Sequence, residues 1–301
     1  MRALATALGC ALAACAPRVP DGAPARTETI AIGETTVRLE YQARDASSAR
    51  RVVEALVRAI PSAERWGQLR VPVTVVLHPS HAALEEAVHR DGFAWLRAWA
   101  RFDTIDLQSP RTWNRIFPPD AAEIEELLAH ELTHCVMYQR AGSAWSWPYK
   151  GIPLWFREGM ASVTAGQGHK RSGPESLWAF YANATPGAGG GAPSAGGDGG
   201  RPGRLRRDGD PISDPEPLYQ GEADLVYGAA HHAFQFLLDR YGAERVQRLL
   251  AEMGDGHGFE AAFRSAIGIP AEAFEAEFRR YVTWRGWDVG FAPSPRAAGR
   301  G

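Results

Sequence analysis

The first part of the chain shows two different spacings of its apolar residues. Apolar and polar residues alternate over residues 27–42 on both sides of Gly33-Glu34, which predicts a β-hairpin. Over residues 45–60 the apolar residues recur every three or four positions, the spacing of a helix with one buried face. Because proline cannot donate the helical hydrogen bond, we expect this helix to end before Pro61.

Three shorter segments follow along the chain. Residues 71–77 form a mostly β-branched run, which predicts a buried strand. Ser80 precedes residues 81–90, where the pattern predicts a short capped helix. Residues 102–107 alternate again and predict a half-exposed strand.

The longest helical pattern runs from Asp120 to just before Gly142. Asp120 with Glu123 resembles a capping box, and glycine commonly follows a helix end. Cys135 falls on an apolar side of this helix, so we expect its thiol to fill the core. Polar and aromatic side chains share another side, which carries His130, Glu131, His134 and Tyr138.

The second half of the chain predicts helices alone. These helices begin near Pro153, Glu222, Ala243, Gly258 and Pro270. Residues 183–217 are saturated with glycine, proline and polar residues, which predicts a disordered insertion. A mixed first half and a helical second half predict an α+β fold, with one domain over residues 27–287 and a flexible tail over residues 288–301.

The N-terminus predicts an exported protein. An apolar stretch follows Arg2, and Leu12-Ala13-Ala14-Cys15 resembles a bacterial lipobox, where cleavage leaves a lipidated cysteine. We therefore expect a signal peptide over residues 1–14, a lipidated Cys15 with its tether over residues 15–26, and a periplasmic lipoprotein anchored to a bacterial membrane. Ordinary signal cleavage to a soluble product and an uncleaved segment are open alternatives. The membrane contact is expected through the N-terminal lipid only.

The overall charge argues against one class of partner. The chain carries 33 basic and 35 acidic residues, a net charge of −2, without a long basic block. Nucleic acid is therefore not an expected partner. A chain of 301 residues can bury its core without disulfides or a structural metal, and nothing in these features indicates an oligomeric state.

Residues 130–134 read His-Glu-Leu-Thr-His, an H-E-x-x-H pattern within the longest helix. Residues four apart lie on one face of a helix, so His130 and His134 can direct both imidazoles at one metal ion. This arrangement suits two of the three protein ligands of a catalytic Zn²⁺ and places Glu131 beside the water bound to it. The pattern therefore predicts a zinc site with Glu131 as a candidate general base.

The third ligand must come from elsewhere in the chain. In a metzincin the motif would continue to a glycine and a third histidine, but Met137 and Arg140 stand at those positions. That class is excluded. A carboxylate from the next helix is the alternative, and Glu158 lies 24 residues after His134, far enough for a loop and a returning helix.

Residues 155–161 read Trp-Phe-Arg-Glu-Gly-Met-Ala, and here the chain resembles the gluzincins, most closely their peptidase-MA-like domains. In that family a W-x-x-E-G-x-A helix follows the motif helix and supplies a zinc-binding glutamate. The resemblance implies that Glu158 is the third ligand and that the fold is zincin-like, with the active site between the small sheet and the helical half. It also implies an oxyanion donor from a downstream helix, which by position is Tyr227, with His231 as its competitor. In that family a peptide substrate lies along an edge strand of the sheet, which in this chain could be residues 102–107. A tyrosine of the core is the alternative for Tyr227.

The predicted function is therefore that of a zinc-dependent peptidase acting on peptide or protein substrates. The sequence lacks a G-x-M-E-N-type signature that would bind the free amine of a substrate, so an endopeptidase is expected. The alternative is a catalytically inactive, membrane-anchored binding or scaffold protein with the same fold. Such a protein would be expected to have lost Glu131 or a metal ligand, and none is missing here.

Overall fold

A computed structural model describes residues 25–114, 116, 119–184, 209–219 and 221–284. The signal peptide, Cys15 and the C-terminal tail predicted from the sequence lie outside these residues, as do residues 185–208 of the predicted insertion. Over the described ranges, no helix has the length and apolar character that crossing a membrane requires.

Among the described residues, five strands form one mixed sheet in the N-terminal half, in the order β1-β2-β3-β5-β4. The strands are β1 (Ala25–Ile32), β2 (Thr35–Gln42), β3 (Val73–His78), β4 (Ala98–Ala100) and β5 (Thr104–Gln108). β1 and β2 form the predicted hairpin, in which Gly33 takes a φ of 61° that suits glycine. β2, β3 and β5 run parallel to one another, whereas β4 pairs antiparallel with β5.

The prediction of a half-exposed edge strand over residues 102–107 is wrong in two respects. β5 lies between β3 and β4, so the strand at this edge of the sheet is β4, which the sequence did not predict. The polar side chain of Asp106 is also buried, where it pairs with His78 at 2.8 Å and with Arg101 at 2.7 Å. The alternation of apolar and polar residues in β5 therefore corresponds to two buried faces of the strand. On the polar face, His78 and Arg101 take the place of solvent as partners of Asp106.

Two helices connect the parallel strands, α1 (Ala46–Glu64) and α2 (His81–Val88). Ser80 caps α2 as predicted, since its hydroxyl accepts a hydrogen bond from a backbone N–H of the first turn. The prediction that the first helix ends before Pro61 is wrong, because α1 continues for about one further turn. Proline removes one hydrogen bond from the carbonyl of Val57, but that residue is exposed and water can take the place of the lost donor.

The longest helix of the described chain is α3 (Ala121–Ala141), which packs against α1, α4 and α7. Its start is capped as predicted: the Asp120 carboxylate accepts a hydrogen bond of 2.7 Å from the backbone N–H of Glu123. Gly142 follows the last helical residue. Cys135 is a buried free thiol, as expected for a residue that fills the core.

Gln139 joins α3 to the sheet. Its side chain is fully buried, and its Oε1 accepts hydrogen bonds of 2.7 and 3.1 Å from the backbone N–H groups of Arg70 and Val71. Its Nε2 donates a bond of 2.9 Å to the carbonyl of Phe102. One buried amide thus pairs with three backbone groups of the segments before β3 and β5, which ties α3 to the sheet.

The C-terminal half is helical where it is described. Its helices are α4 (Leu154–Thr164), α5 (Pro174–Ala184), α6 (Ala223–Tyr241), α7 (Ala243–Gly254), α8 (Phe259–Ile267) and α9 (Ala271–Trp284). Trp155 of α4 is fully buried and stacks on Phe274 of α9 with 5.1 Å between ring centroids. A small N-terminal sheet followed by a helical half agrees with the coarse α+β prediction.

The prediction of disorder over residues 183–217 is wrong for the end of that range. Asp210 and Asp214 pair through their backbones, and Ile212 between them is buried. Asp210 also forms an ion pair of 3.1 Å with Arg279 on α9. One apolar anchor and one ion pair therefore hold residues 209–217 against the helical half, despite their polar composition.

Candidate metal centre

α3 presents two histidines one helical turn apart. The Nε2 atoms of His130 and His134 lie 3.2 Å from each other. Their side chains are 12% and 8% exposed, so both rings are largely removed from solvent. The helical spacing read from the sequence is therefore realised, with both Nε2 atoms directed at one point.

Glu158 reaches the same point from α4. Its Oε2 lies 3.6 Å from His130 Nε2 and 3.7 Å from His134 Nε2. Within the part of the chain that the structure describes, this is the one group of three histidine, cysteine or acidic side chains whose ligand atoms converge. Two neutral imidazole nitrogens and one carboxylate oxygen form a donor set that suits zinc.

The size of this triangle can be tested against a metal ion. Its sides measure 3.2, 3.6 and 3.7 Å, so the point equidistant from all three atoms lies about 2.0 Å from each. Zinc binds histidine nitrogen and carboxylate oxygen at roughly 2.0–2.2 Å. The three side chains therefore fit a zinc ion in the positions that they already occupy.

A glycine next to Glu158 lets α4 approach α6 closely. A Cβ atom on Gly159 would stand 2.2 Å from the carbonyl oxygen of Ala230 and 2.6 Å from the Cβ of Phe234. No real Cβ atom tolerates such distances, so only glycine permits this crossing. The Glu-Gly pair of the sequence thus has a structural reason: the glycine seats the helix that carries the carboxylate.

Glu131 lies beside the three converging residues and is buried. Burial raises the pKa of its carboxyl group, His130 lowers it in part, and the negative Glu158 raises it again, so that the pKa is about 7. The backbone N–H of Ala100 donates a hydrogen bond to this carboxylate. Glu131 is therefore held by the edge strand β4 and can gain or lose a proton near neutral pH.

The pKa of Glu158 is shifted in the opposite direction to that of Glu131. Burial alone would raise the pKa of its carboxyl group, but His134 and His130 outweigh burial and place the pKa well below its usual range. The other oxygen, Oε1, lies 3.5 Å from Nε of Arg157. Glu158 is thus an anion, with one oxygen toward the histidines and the other toward a guanidinium.

The two histidine rings are held in different ways. Nδ1 of His130 lies 3.0 Å from Oε1 of Gln167, in the turn after α4. His134 stacks on Tyr138 with 5.8 Å between ring centroids, and Tyr138 stacks on Trp147 at 3.7 Å. A hydrogen bond orients the first ring, and aromatic packing orients the second.

Tyr227 of α6 lies in the electrostatic neighbourhood of this centre. Burial and the negative charge of Glu158 raise the pKa of its hydroxyl to about 12, so the hydroxyl keeps its proton and can donate it in a hydrogen bond. His231, one turn further, instead directs Nδ1 at the hydroxyl of Ser162 at 3.0 Å. The choice between Tyr227 and His231 as oxyanion donor stays a prediction.

Three contributors to this centre were not found from the sequence. Gln167 contacts a histidine 37 positions earlier, and no pattern marks it. Ala100 acts through its backbone, so its residue type carries no signal. Arg157 precedes Glu158 in the sequence. A cation next to a candidate ligand is a signal from which its contact with the carboxylate could have been predicted.

Comparisons with known proteins give a distant likeness. No protein-family model and no curated protein matches the sequence. Among solved structures, the chain is similar to an M1 zinc metallopeptidase from Deinococcus radiodurans, with 15% identity and a TM-score of 0.40 over 86% of this chain. It is also similar to a mutant two-domain M1 zinc metallopeptidase bound to L-arginine, with 15% identity and a TM-score of 0.41. The chain spans 51% of each of these two structures.

Proposed function

We propose that this protein is a zinc-dependent peptidase. The observation that carries the proposal is the convergence of His130 Nε2, His134 Nε2 and Glu158 Oε2 on one point, with the carboxyl of Glu131 beside it. The first three residues would hold Zn²⁺. When bound, the ion supplies a lowered pKa to water and polarises the carbonyl of a peptide bond.

Glu131 is the general base of the proposed reaction. Its carboxylate takes a proton from the attacking water and then delivers that proton to the departing amine. A pKa of about 7 suits both steps, because the group then changes its protonation state at little cost near neutral pH. The hydrogen bond from the backbone N–H of Ala100 holds the carboxylate in place during this exchange.

Tyr227 is proposed as the donor to the oxyanion that develops on the substrate. Its raised pKa means that the phenol remains protonated at neutral pH, which a hydrogen-bond donor requires. β4, one of the two edge strands of the sheet, is where an extended peptide could add its backbone. We propose internal peptide bonds as the target, since the sequence lacks the amine-binding signature noted above.

The decisive experiment compares the wild type with Glu131→Gln. We expect about one Zn²⁺ per chain in both proteins, because Glu131 is not a ligand. Hydrolysis of an unstructured protein should fall about 10²–10⁴-fold in the variant, the share that general base catalysis supplies. Glu125→Gln on the same helix is the matched control, since its exposed ion pair with Arg58 is remote from the chemistry.

A second function is kept as the alternative, an inactive binding or scaffold protein. A wild type that holds zinc yet leaves a broad peptide library intact would favour that alternative over the peptidase. If the peptidase proposal is right, mass spectrometry of the products will also show cuts inside the chain and not only at its ends.

We also propose that the protein is exported and anchored through Cys15. The support is the lipobox-like sequence alone. Intact-mass analysis of membrane fractions should show an added lipid mass on the wild type and none on Cys15→Ser. An unlipidated, soluble wild type would contradict the anchor and leave the peptidase proposal intact.

A further inference from the structure

Gln167 stands between a proposed metal ligand and an arginine. Its Oε1 lies 3.0 Å from Nδ1 of His130, and the same oxygen accepts a short hydrogen bond from a terminal nitrogen of Arg171. One oxygen therefore meets an imidazole nitrogen on one side and a guanidinium nitrogen on the other. The side chains of all three residues are buried or half-buried.

The chemistry of arginine fixes the orientation of this amide. A guanidinium carries only donors and stays protonated in proteins, so the atom of Gln167 that faces Arg171 must be the carbonyl oxygen and not the NH₂ group. That same oxygen can only accept a hydrogen bond from His130. Nδ1 of His130 must therefore carry a proton, and in the neutral ring this leaves the lone pair on Nε2, the nitrogen that faces His134 and Glu158.

Arg171 is itself held in place. Its Nε donates a hydrogen bond of 3.0 Å to the hydroxyl of Ser162, and its guanidinium lies 5.5 Å from the centre of the Tyr227 ring. The hydroxyl of Ser162 in turn meets Nδ1 of His231 at 3.0 Å. His231, Ser162, Arg171 and Gln167 thus form one hydrogen-bonded chain that ends on His130.

We propose that Gln167 and Arg171 are positioning residues that select the tautomer of His130 able to bind a metal ion. Oε1 of Gln167 accepts a hydrogen bond from Nδ1–H, and Arg171 prevents the amide from turning its NH₂ group toward the ring. His231 contacts the Ser162 end of this chain of hydrogen bonds. The inference rests on the proposed function only in naming zinc as the ion.

The first test reads the tautomer directly in the full-length, chelator-treated protein. Nitrogen-15 NMR of the neutral form of the ring should show His130 protonated on Nδ1, with its signals assigned by their loss in His130→Ala. In Gln167→Leu, which removes the acceptor, the proton should shift in part to Nε2. A wild-type His130 protonated mainly on Nε2 would overturn the proposal.

The second test measures zinc affinity by competition with a chelator. Gln167→Leu should weaken binding by about 10–100-fold, the usual cost of losing the partner of a metal-bound histidine. Gln167→Glu should stay within a few-fold of the wild type, because a carboxylate keeps the acceptor. Gln235→Leu is the matched control, since Gln235 bonds only to Asp239 on the exposed side of α6.

Arg171→Met separates orientation from simple packing. In the wild-type background it should weaken zinc binding about tenfold, because the amide can then turn over. In the Gln167→Glu background it should cost much less, since both oxygens of a carboxylate accept and no wrong orientation exists. An equal loss in both backgrounds would show that Arg171 acts in some other way and would refute its proposed role.

These readouts keep the two proposals apart. The tautomer is measured without metal or substrate, and the affinity without substrate, so both stand if no peptide is cleaved. Conversely, active enzyme with unchanged zinc affinity in Gln167→Leu would refute the tautomer proposal and leave the peptidase in place. Thermal unfolding of each variant identifies any loss that comes from misfolding.

Discussion

Glu131 and Glu158 are carboxyl groups beside the same two histidines, yet their pKa values move in opposite directions. Burial raises the pKa of both, but the two histidines together outweigh it only at Glu158, which contacts both rings. Glu131 keeps a pKa of about 7, and Glu158 remains an anion. At the scale of single residues, a small difference of position separates the proposed general base from the proposed metal ligand.

His231 gives a pH dependence of stability that can be measured. Burial, then His232 and Arg171, lower the pKa of its ring to about 4 in the folded protein, against about 6.5 when unfolded. Between these values the unfolded chain binds the extra proton. The free energy of unfolding should therefore keep its full value above about pH 6.5, as far as His231 is concerned. It should decrease as the pH drops from there toward 4.

The expected loss attributable to His231 is about 1 kcal/mol, since the half-buried ring is partly screened by solvent. His231→Asn keeps a hydrogen-bonding side chain without the titrating ring and should flatten the curve obtained from urea unfolding at several pH values. The exposed His257 is the comparison, and His257→Gln should leave the slope as it is. A slope unchanged in His231→Asn would show that other groups cause it.

The helices of the C-terminal half are placed by close contacts that involve small residues. Gly159 allows α4 to lie against α6, and this contact sets where Glu158 stands relative to α3. The position of the Glu158 carboxylate therefore depends on the next residue of the helix, Gly159, which faces α6. At the scale of elements, the geometry of the candidate metal centre depends on how α4 packs against α6.

Gly159→Ala tests this dependence. The added methyl group must displace α4 from the Ala230 carbonyl, so we expect the free energy of unfolding to fall by about 1–3 kcal/mol, the cost of overpacking. Zinc affinity should fall as well, because Glu158 moves with the helix. Urea unfolding and chelator competition measure the two effects.

Gly221 provides the control for that substitution. A Cβ atom there would meet no other atom within 4 Å, so Gly221→Ala should change neither stability nor zinc affinity appreciably. A Gly159→Ala protein with weakened stability but unchanged zinc affinity would separate the seating of α4 from the position of the carboxylate.

Local sequence signals predicted most helices and strands, but they did not predict which strand lies at the edge of the sheet beside β5. Caps at Ser80 and Asp120 act within four residues, so their effect is readable from the sequence. Whether a strand is interior or at an edge depends on its neighbours, which is why residues 102–107 were misplaced and β4 was missed. Pro61 was misread for a related reason, since its cost depends on whether the freed carbonyl reaches water.

At the scale of the whole molecule, the loop before β4 approaches α6 beside the candidate metal centre. Ala100 of β4 contacts Glu131, and Trp95, a few residues earlier, lies 6.5 Å from the ring of Tyr227. Trp95 is 61% exposed, and Phe93 packs against it at 5.6 Å. An exposed aromatic surface next to the proposed catalytic residues suits a bulky apolar side chain of a peptide substrate.

Trp95→Ala tests the role of this surface. We expect kcat/KM for peptides with a large apolar residue near the cut to fall about tenfold, mostly through KM, because an aromatic contact is lost. Zinc affinity should stay unchanged. Trp284, 84% exposed at the end of α9, is the control, and an equal loss in Trp284→Ala would argue against a specific contact.

The sequence by itself determined the pair of histidines on one helix with a glutamate between them, and its resemblance to a known family pointed to Glu158 in the following helix. These depend on helical spacing and residue type, which are local. Tertiary structure alone decided that Glu158 Oε2 lies within 3.7 Å of Nε2 of both histidines. It also decided that Ala100 contacts Glu131 and that Gln167 contacts His130. The position of β4 as an edge strand of the sheet was likewise decided only by the fold. Such contacts join residues far apart in the chain, and packing, not local preference, brings them together.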